Sequence, residues 1–496
     1  MEWTIDASTM MLDSASFEKL PWQQVFSEME QLEAGSLANT DEGRQVGHYW
    51  LRAPLRAPTV GQASAIGETT AAVNAFAEAV CNGRTTSEDG SPFTDVLHIG
   101  IGGSSLGPAL LVDALADAGL KVHFLDNTDP DGIARILGRV SLRTTLCVIV
   151  TKSGTTAETR NGMLLVRQAL QDEGLELPAH LVAITCEGSL LDQLAKKERW
   201  LRIFPMWDWV GGRYSLTSAV GLLTAGLAGI DVRALIRGAR EMDEWTRTTD
   251  WKNNPAALLA GCWYLIGAGR GERALVVLPY SDRLFLLSRY LQQLVMESLG
   301  KRLDRQNEVV EQGLTVYGNK GSTDQHAFVQ QLRDGSNDFF VTFIHVLGQH
   351  GNSMEVADGA TTGDFLQGFL LGTRRAMADT ERPTMTITVP DVNAEVLGAL
   401  VALFERTVGL YASLIDVNAY HQPGVEAGKI AARDILALSQ KVLQTLESGD
   451  STVEGLATKL QADATEIFYL AEHLVSSGRL SREGIGEKAS YRLPNV

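Results

Sequence analysis

The run Thr145-Leu-Cys-Val-Ile-Val150 leaves no polar side to face water. A half-exposed strand alternates apolar and polar residues, whereas a β-branched apolar run without alternation fits a strand covered on both faces. Short β-rich runs recur at Asp95–Ile99, Lys121–Leu125 and Leu181–Cys186, separated by helix-length segments. That alternation predicts right-handed βαβ units and a parallel sheet flanked by helices. A helical stretch, about Ser215 to Leu265, follows. A second series then starts at Ala274–Leu278 and continues at Leu314–Tyr317, Phe339–His345 and Thr384–Val389. The chain reads as α/β with two doubly wound halves of similar size. A mostly helical segment to residue 83 and a polar, turn-rich linker, Arg84 to Pro92, come before them.

A chain of 496 residues is too long for one ordinary domain. Its 45% hydrophobic and 21% charged residues suit a soluble protein with a sizeable core. A net charge of −17 argues against non-specific nucleic-acid binding, although a local basic pocket can still take an anion. Cys81, Cys147, Cys186 and Cys262 are widely spaced and form no CxxC pair. They read as reduced, mostly buried thiols of a cytoplasmic protein. The N-terminus, MEWTIDASTM, has no apolar signal-peptide core, and no uncharged apolar run reaches membrane-spanning length. No membrane and no nucleic-acid partner is expected.

After the linker Leu446 to Thr452, the tail reads as two helices, Thr452–Leu460 and Asp463–Ser477, and a hairpin within Arg479–Leu493. That order is winged-helix-like. Residues 452–496 carry five Lys or Arg and six Asp or Glu, and the second helix holds Asp463, Glu466 and Glu472 without a Lys or Arg. Phosphate contacts with DNA need Lys or Arg, so packing or an interface suits this tail better than DNA binding.

Thr151-Lys152-Ser153-Gly154-Thr155-Thr156 stands where the first-mentioned strand hands over to a helix of about Glu158 to Leu170. Free backbone N–H groups and the positive end of the helix dipole meet four hydroxyls and an ammonium there, which makes a site for a phosphate dianion. An ordinary N-cap cluster would need only one or two hydroxyls. Gly100-Ile-Gly-Gly-Ser-Ser-Leu-Gly-Pro108 follows another strand. As a dinucleotide fingerprint it is weakened by Ser105, which stands where the third glycine belongs, although Asp126 after the next strand could pass for the ribose-binding acid. It reads better as a second wall of the same site, with Ser104 as donor. Gly211-Gly-Arg-Tyr-Ser-Leu216 offers Arg213 to a phosphate or a developing oxyanion, or merely to a surface ion pair. In Gln293-Leu-Val-Met-Glu-Ser-Leu-Gly-Lys301, Glu297 and Lys301 are spaced as an ordinary helix pair. The apolar setting equally allows Glu297 to be a catalytic carboxylate. His326 ends a glycine-rich loop and could serve as acid or base, as His350 and His421 could. In Asn418–Lys429, Gln422 and Lys429 could reach a sugar and Glu426 could be an ion-pair partner, or the stretch is simply a capped helix. No metal-ligand spacing and no P-loop occurs.

In this order, GIGGSSLGP, TKSGTTAET, GGRYSL, MESLGK, GSTDQHAF and HQPGVEAGK resemble the signatures of the glucose-6-phosphate isomerase (phosphoglucose isomerase) family, of bacterial type. The match spans about residues 90–430. It implies two sugar-isomerase (SIS) α/β domains, which with the linkers read above gives a helical segment at 1–90, a first SIS domain at 91–265 and a second at 266–446 with a C-terminal active-site helix; the tail at 447–496 is not explained by the resemblance. It implies aldose–ketose isomerisation of glucose 6-phosphate and fructose 6-phosphate through a cis-enediolate, a step of glycolysis and gluconeogenesis, with no metal or cofactor. Ser104, Thr151, Ser153 and Thr156 would bind the phosphate, with Lys152 beside them, and Gly103 and Gln293 would hold the sugar. Glu297 would be the base, Arg213 would stabilise the enediolate, and His326 and Lys429 would open the ring with Gln422 nearby. The family usually forms homodimers with shared active sites, the counterpart of His326 coming from the neighbouring subunit. Leu299 and His421 stand where many relatives have Asn and Asp, and Thr151 where many have Ser.

Overall fold

The computed structural model describes residues 3–486 and 489–494, with side chains other than those of 425–427. The chain divides into two compact units, Met1–His421 and Gln422–Val496.

The larger unit holds two five-stranded sheets. In the first, Thr145–Val150 lies at the centre with all six residues buried, as its lack of alternation requires. The order is Lys121–Leu125, Asp95–Ile99, Thr145–Val150, Leu181–Cys186, Arg202–Met206, parallel throughout. The last strand, RIFPM, was not foreseen. Its Pro205 has no N–H to donate and is tolerated because the strand is an edge. The chain leaves Asp95–Ile99 toward one side of the sheet and returns to Thr145–Val150 on the other. The loops after these two neighbours therefore diverge and open a crevice, where open α/β sheets bind ligands. Those loops are Gly100–Pro108 and Thr151–Thr156.

The second sheet runs Thr4–Asp6, Thr384–Val389, Phe339–Val346, Ala274–Pro279, Val316–Tyr317. Its four later strands are parallel, and Thr4–Asp6 pairs antiparallel at the edge. Three residues are too few to show a periodicity, so that strand was hidden in a segment read as helical. A cleft of about 520 Å³ lies beyond the carboxyl ends of this sheet; of the histidines the sequence offers as acid or base, His350 lines it.

One hydrophobic cluster joins the two sheets, including Val148 and Val182 from the first and Val277 and Met385 from the second. The helix Ala394–Leu414 runs through it. It is long and apolar enough to cross a membrane, yet 94% of its apolar window is buried inside the protein. It also carries charge into the interior: Glu405 and Arg406 are fully buried. Arg406 pairs with Glu33, and Arg52 bridges Glu405 and Asp243. Burial pushes the Glu405 carboxyl up to about 7 against the pull of Arg52. Of the four cysteines, all free, Cys147 and Cys262 are buried and Cys186 is half-buried. Cys81 is exposed.

In the smaller unit, the long helix Pro423–Leu446 precedes Val453–Leu460 and Ala464–Ser476. The expected hairpin, Ser481–Glu483 with Ser490–Arg492, gains a third strand, Ser451–Thr452.

Candidate active site

The Thr151–Thr156 loop is shaped by two needs: to leave the sheet sharply and to start the helix Ala157–Asp172. Gly154 makes the turn at φ +77°, where a Cβ would lie 2.7 Å from the backbone nitrogen of Leu191. The Gly154 N–H donates to Thr151 Oγ1 at 3.3 Å, and the Ser153 and Thr155 hydroxyls lie 2.6 Å apart. Thr156 occupies the N-cap, but its side chain makes no capping hydrogen bond. The hydroxyls are thus gathered around one another rather than spent on the helix end. Lys152 reaches the Asp208 carbonyl at 3.4 Å, and burial pulls its ammonium below the usual lysine range.

The Gly100–Pro108 loop forms a single turn at Gly102–Ser104 before the helix Leu106–Leu115. Gly103 is packed against the Arg213 loop so closely that a Cβ would lie 2.2 Å from the carbonyl carbon of Gly212. Any larger residue would part the two loops. Beneath the turn, His98 Nε2 donates to the Ser104 carbonyl at 2.6 Å, which leaves Nδ1 to accept from the Thr224 hydroxyl at 2.9 Å. Both nitrogens are thereby used in the neutral ring, and burial pulls its pKa down to about 4.

This histidine links stability to pH. The unfolded chain takes up the proton near 6.5 and the folded chain only near 4, so the unfolded state binds more protons in between. Stability is therefore lost as pH falls through that window, by about 3 kcal/mol through His98 alone. Urea unfolding from pH 7 to pH 4 measures it. In His98→Gln that part of the slope is expected to vanish, and an unchanged slope would refute the assignment.

Arg213 and Glu297 come together across 84 residues of sequence. The guanidinium is buried, its side chain 3% exposed, while the Glu297 side chain is 29% exposed, with Nη1 and Oε2 3.4 Å apart. Arg213 is fixed by Nε donating to Ser298 Oγ at 2.6 Å and by Nη2 donating to the carbonyls of Ala419 and His421. The Tyr214 hydroxyl also meets Ser298 Oγ, at 2.8 Å. Glu297 ends a π-helical turn, Gln292–Glu297, of the kind that recurs at functional sites. That turn brings the Gln293 amide to 3.3 Å from Glu297 Oε1. A Cβ on Gly102 would lie 3.1 Å from the same amide, so the glycine-rich loop borders it directly. From below, the Tyr290 hydroxyl donates to the buried Glu405 at 3.3 Å. The arrangement is a buried permanent cation behind a carboxylate open on one side, suited to moving a proton beside a developing oxyanion.

Gly103, Arg213, Gln293 and Glu297 are thus brought together. Ser104, Thr151, Lys152, Ser153 and Thr156 stand on the two loops of the crevice. His326 is exposed on the turn Thr323–His326 and makes no hydrogen bond to Arg213, Gln293 or Glu297 among the described residues. Gln422 and Lys429 belong to the smaller unit, at the N-cap and in the first turns of Pro423–Leu446. The side chain of Glu426 lies outside the described residues. Leu299 is fully buried in the main core, which an apolar residue suits. His421 contributes its carbonyl to Arg213, and its ring lies 3.7 Å from Asp41.

Sequence reasoning missed Ser298 and left Lys301 open as an ordinary helix partner of Glu297. Lys301 begins the strand Lys301–Leu303, and its Nζ donates to the carbonyls of Glu297 and Ser298, not to the Glu297 carboxylate. Adjacency of Ser298 to Glu297 was the one available signal. Among the described residues, no group of three or more His, Cys, Asp or Glu is placed to hold a metal ion.

The family model of phosphoglucose isomerase matches residues 14–376 and 370–457. A glucose-6-phosphate isomerase of Cyanothece sp. is 54% identical over 486 residues, covering 96% of this chain and 92% of that protein. One from Geobacter sp. is 52% identical over 490 residues, with 96% and 92% covered. The crystal structure of a glucose-6-phosphate isomerase from Chlamydia trachomatis superposes with a TM-score of 0.81 at 27% identity, covering 88% of this chain and 89% of that one.

Proposed function

The chain belongs to the phosphoglucose isomerase family and interconverts D-glucose 6-phosphate and D-fructose 6-phosphate, and we propose that Glu297 carries the proton between C1 and C2. The observation that supports this reading is the Arg213–Glu297 pair, a half-open carboxylate with a buried guanidinium 3.4 Å behind it. Glu297 takes the proton from C2 of the open-chain aldose and returns it to C1, while a hydroxyl proton passes between O1 and O2. Arg213, held by Ser298 Oγ and the carbonyls of Ala419 and His421, needs no reorganisation to meet the enediolate charge. The phosphate is anchored by the hydroxyls and N–H groups of Thr151–Thr156 with Ser104 opposite. Because that anchor is remote from C1 and C2, its binding energy orients the reacting carbons. Gln293 and the backbone at Gly103 border the sugar. The family resemblance assigns ring opening to His326 and Lys429 and a sugar contact to Gln422. A cytoplasmic setting accords with four free cysteines.

The reading includes a homodimer in which His326 serves the partner's site. Its exposure, and the lack of a bond from it to Glu297 or Arg213 among the described residues, support that assignment. Complementation tests it. His326→Ala and Glu297→Gln should each be nearly inactive alone. Dissociated, mixed in equal amounts and reassociated, they are expected to recover about a quarter of wild-type activity, since half the dimers are mixed and each has one intact site. No recovery, with mixed dimers verified by mass, would refute the shared site.

A further inference from the structure

Lys301 is an unusual lysine: only 4% of its surface is exposed. The π-turn ends at Glu297 and the chain enters a strand at Lys301, so the last carbonyls of the turn have no helical N–H beyond them. Lys301 Nζ supplies the missing donors, at 2.6 Å from the Glu297 carbonyl and 2.9 Å from that of Ser298. The two residues it ties down are the proposed base and the serine whose hydroxyl accepts from Arg213.

We propose that Lys301 is a positioning residue for the isomerisation: by clamping the carbonyls of Glu297 and Ser298 it fixes the backbone from which the base and the anchor of its guanidinium partner both project. The proposal rests on Glu297 being the base. A lysine that merely filled space would do so more cheaply as an apolar residue. A lysine in solvent could cap a helix without being buried beside Arg213. The groups that face it are Arg213, Glu297 and Asp41, with His421 also within its field. Burial, with Arg213 adding to it, pulls the ammonium down to about 7. Losing that proton does not undo the clamp, because the neutral amine keeps two N–H donors for two carbonyls.

The test is kcat and KM for fructose 6-phosphate with Lys301→Met in two backgrounds, wild type and Glu297→Gln. In the wild-type background kcat is expected to fall about 30-fold or more with KM within about threefold, since a displacement on the order of 1 Å at a reacting group is that damaging. In the Glu297→Gln background the further loss is expected to stay within about threefold, because the position of an absent base no longer matters. An equal loss in both backgrounds, as a general packing defect would give, overturns the proposal. So does a wild-type kcat in Lys301→Met. Full activity of Glu297→Gln by itself would instead sink the assignment of the base, a separate failure. If Lys301→Met does not fold, Lys301→Gln decides. Its amide nitrogen falls one atom short, and kcat is expected to drop about tenfold in the wild-type background only. A kcat within about twofold of wild type, or the same drop in both backgrounds, overturns the proposal.

Discussion

Glu297→Gln is expected to keep its fold and its affinity for fructose 6-phosphate and to lose kcat by about a hundredfold or more, the usual worth of a general base. The substitution is nearly isosteric and removes the basic oxygen. Its neighbours remain satisfied. Arg213 still has Ser298 Oγ and the carbonyls of Ala419 and His421, and the carbonyl of residue 297 still accepts from Lys301. The loops proposed to hold the phosphate lie elsewhere in sequence and do not depend on this carboxylate, so binding should change little. The expected signature is therefore a fall in kcat at nearly constant KM, measured in a coupled assay alongside equilibrium binding of the sugar phosphate. A variant within a few-fold of wild type would remove Glu297 from the chemistry.

How much of this site could be read in advance followed the range of the interactions. The strand–loop–helix unit that carries the proposed phosphate site was legible because its parts are contiguous: an unalternating strand, a cluster of hydroxyls and a helix start fall within twelve residues, 145–156. The central strands were legible for the same reason, since burial on both faces is written into each run. What failed were elements whose stability is borrowed. Thr4–Asp6 exists as a strand because Thr384–Val389 offers an edge, and RIFPM is a strand despite its proline because only one of its sides is paired. The π-turn at Gln292–Glu297 was invisible because a 3.6-residue pattern continues through it with little change. Spacing offered Glu297 and Lys301 as a surface-type pair. Only the start of a strand at Lys301 turns that side chain back under the turn to its carbonyls. Arg213 was ambiguous for the complementary reason. An arginine after two glycines can go anywhere until the fold delivers a carboxylate 84 residues away and three further acceptors.

Those acceptors also set what its removal does. Arg213→Met is expected to lower kcat by about 10² to 10³, the range for deleting one preorganised donor aimed at a developing oxyanion. The deletion should act on the chemical step, because the charge it answers exists only in the enediolate. It should also destabilise the protein. The carbonyls of Ala419 and His421 lose this donor, and each such orphan costs about 1–3 kcal/mol, whereas Ser298 Oγ keeps the Tyr214 hydroxyl. The two effects separate by experiment: the melting temperature reports the orphans, and kcat measured well below the melting point reports the enediolate. Arg213→Lys sharpens the distinction. A lysine restores the charge as a single point, but it has no planar fork with which to hold Ser298, two carbonyls and Glu297 together. If charge alone mattered, Arg213→Lys would regain most of the activity. The geometry instead predicts that it stays at least about tenfold below wild type, because an ammonium that satisfies the buried carbonyls is turned away from Glu297 and one that faces Glu297 abandons them.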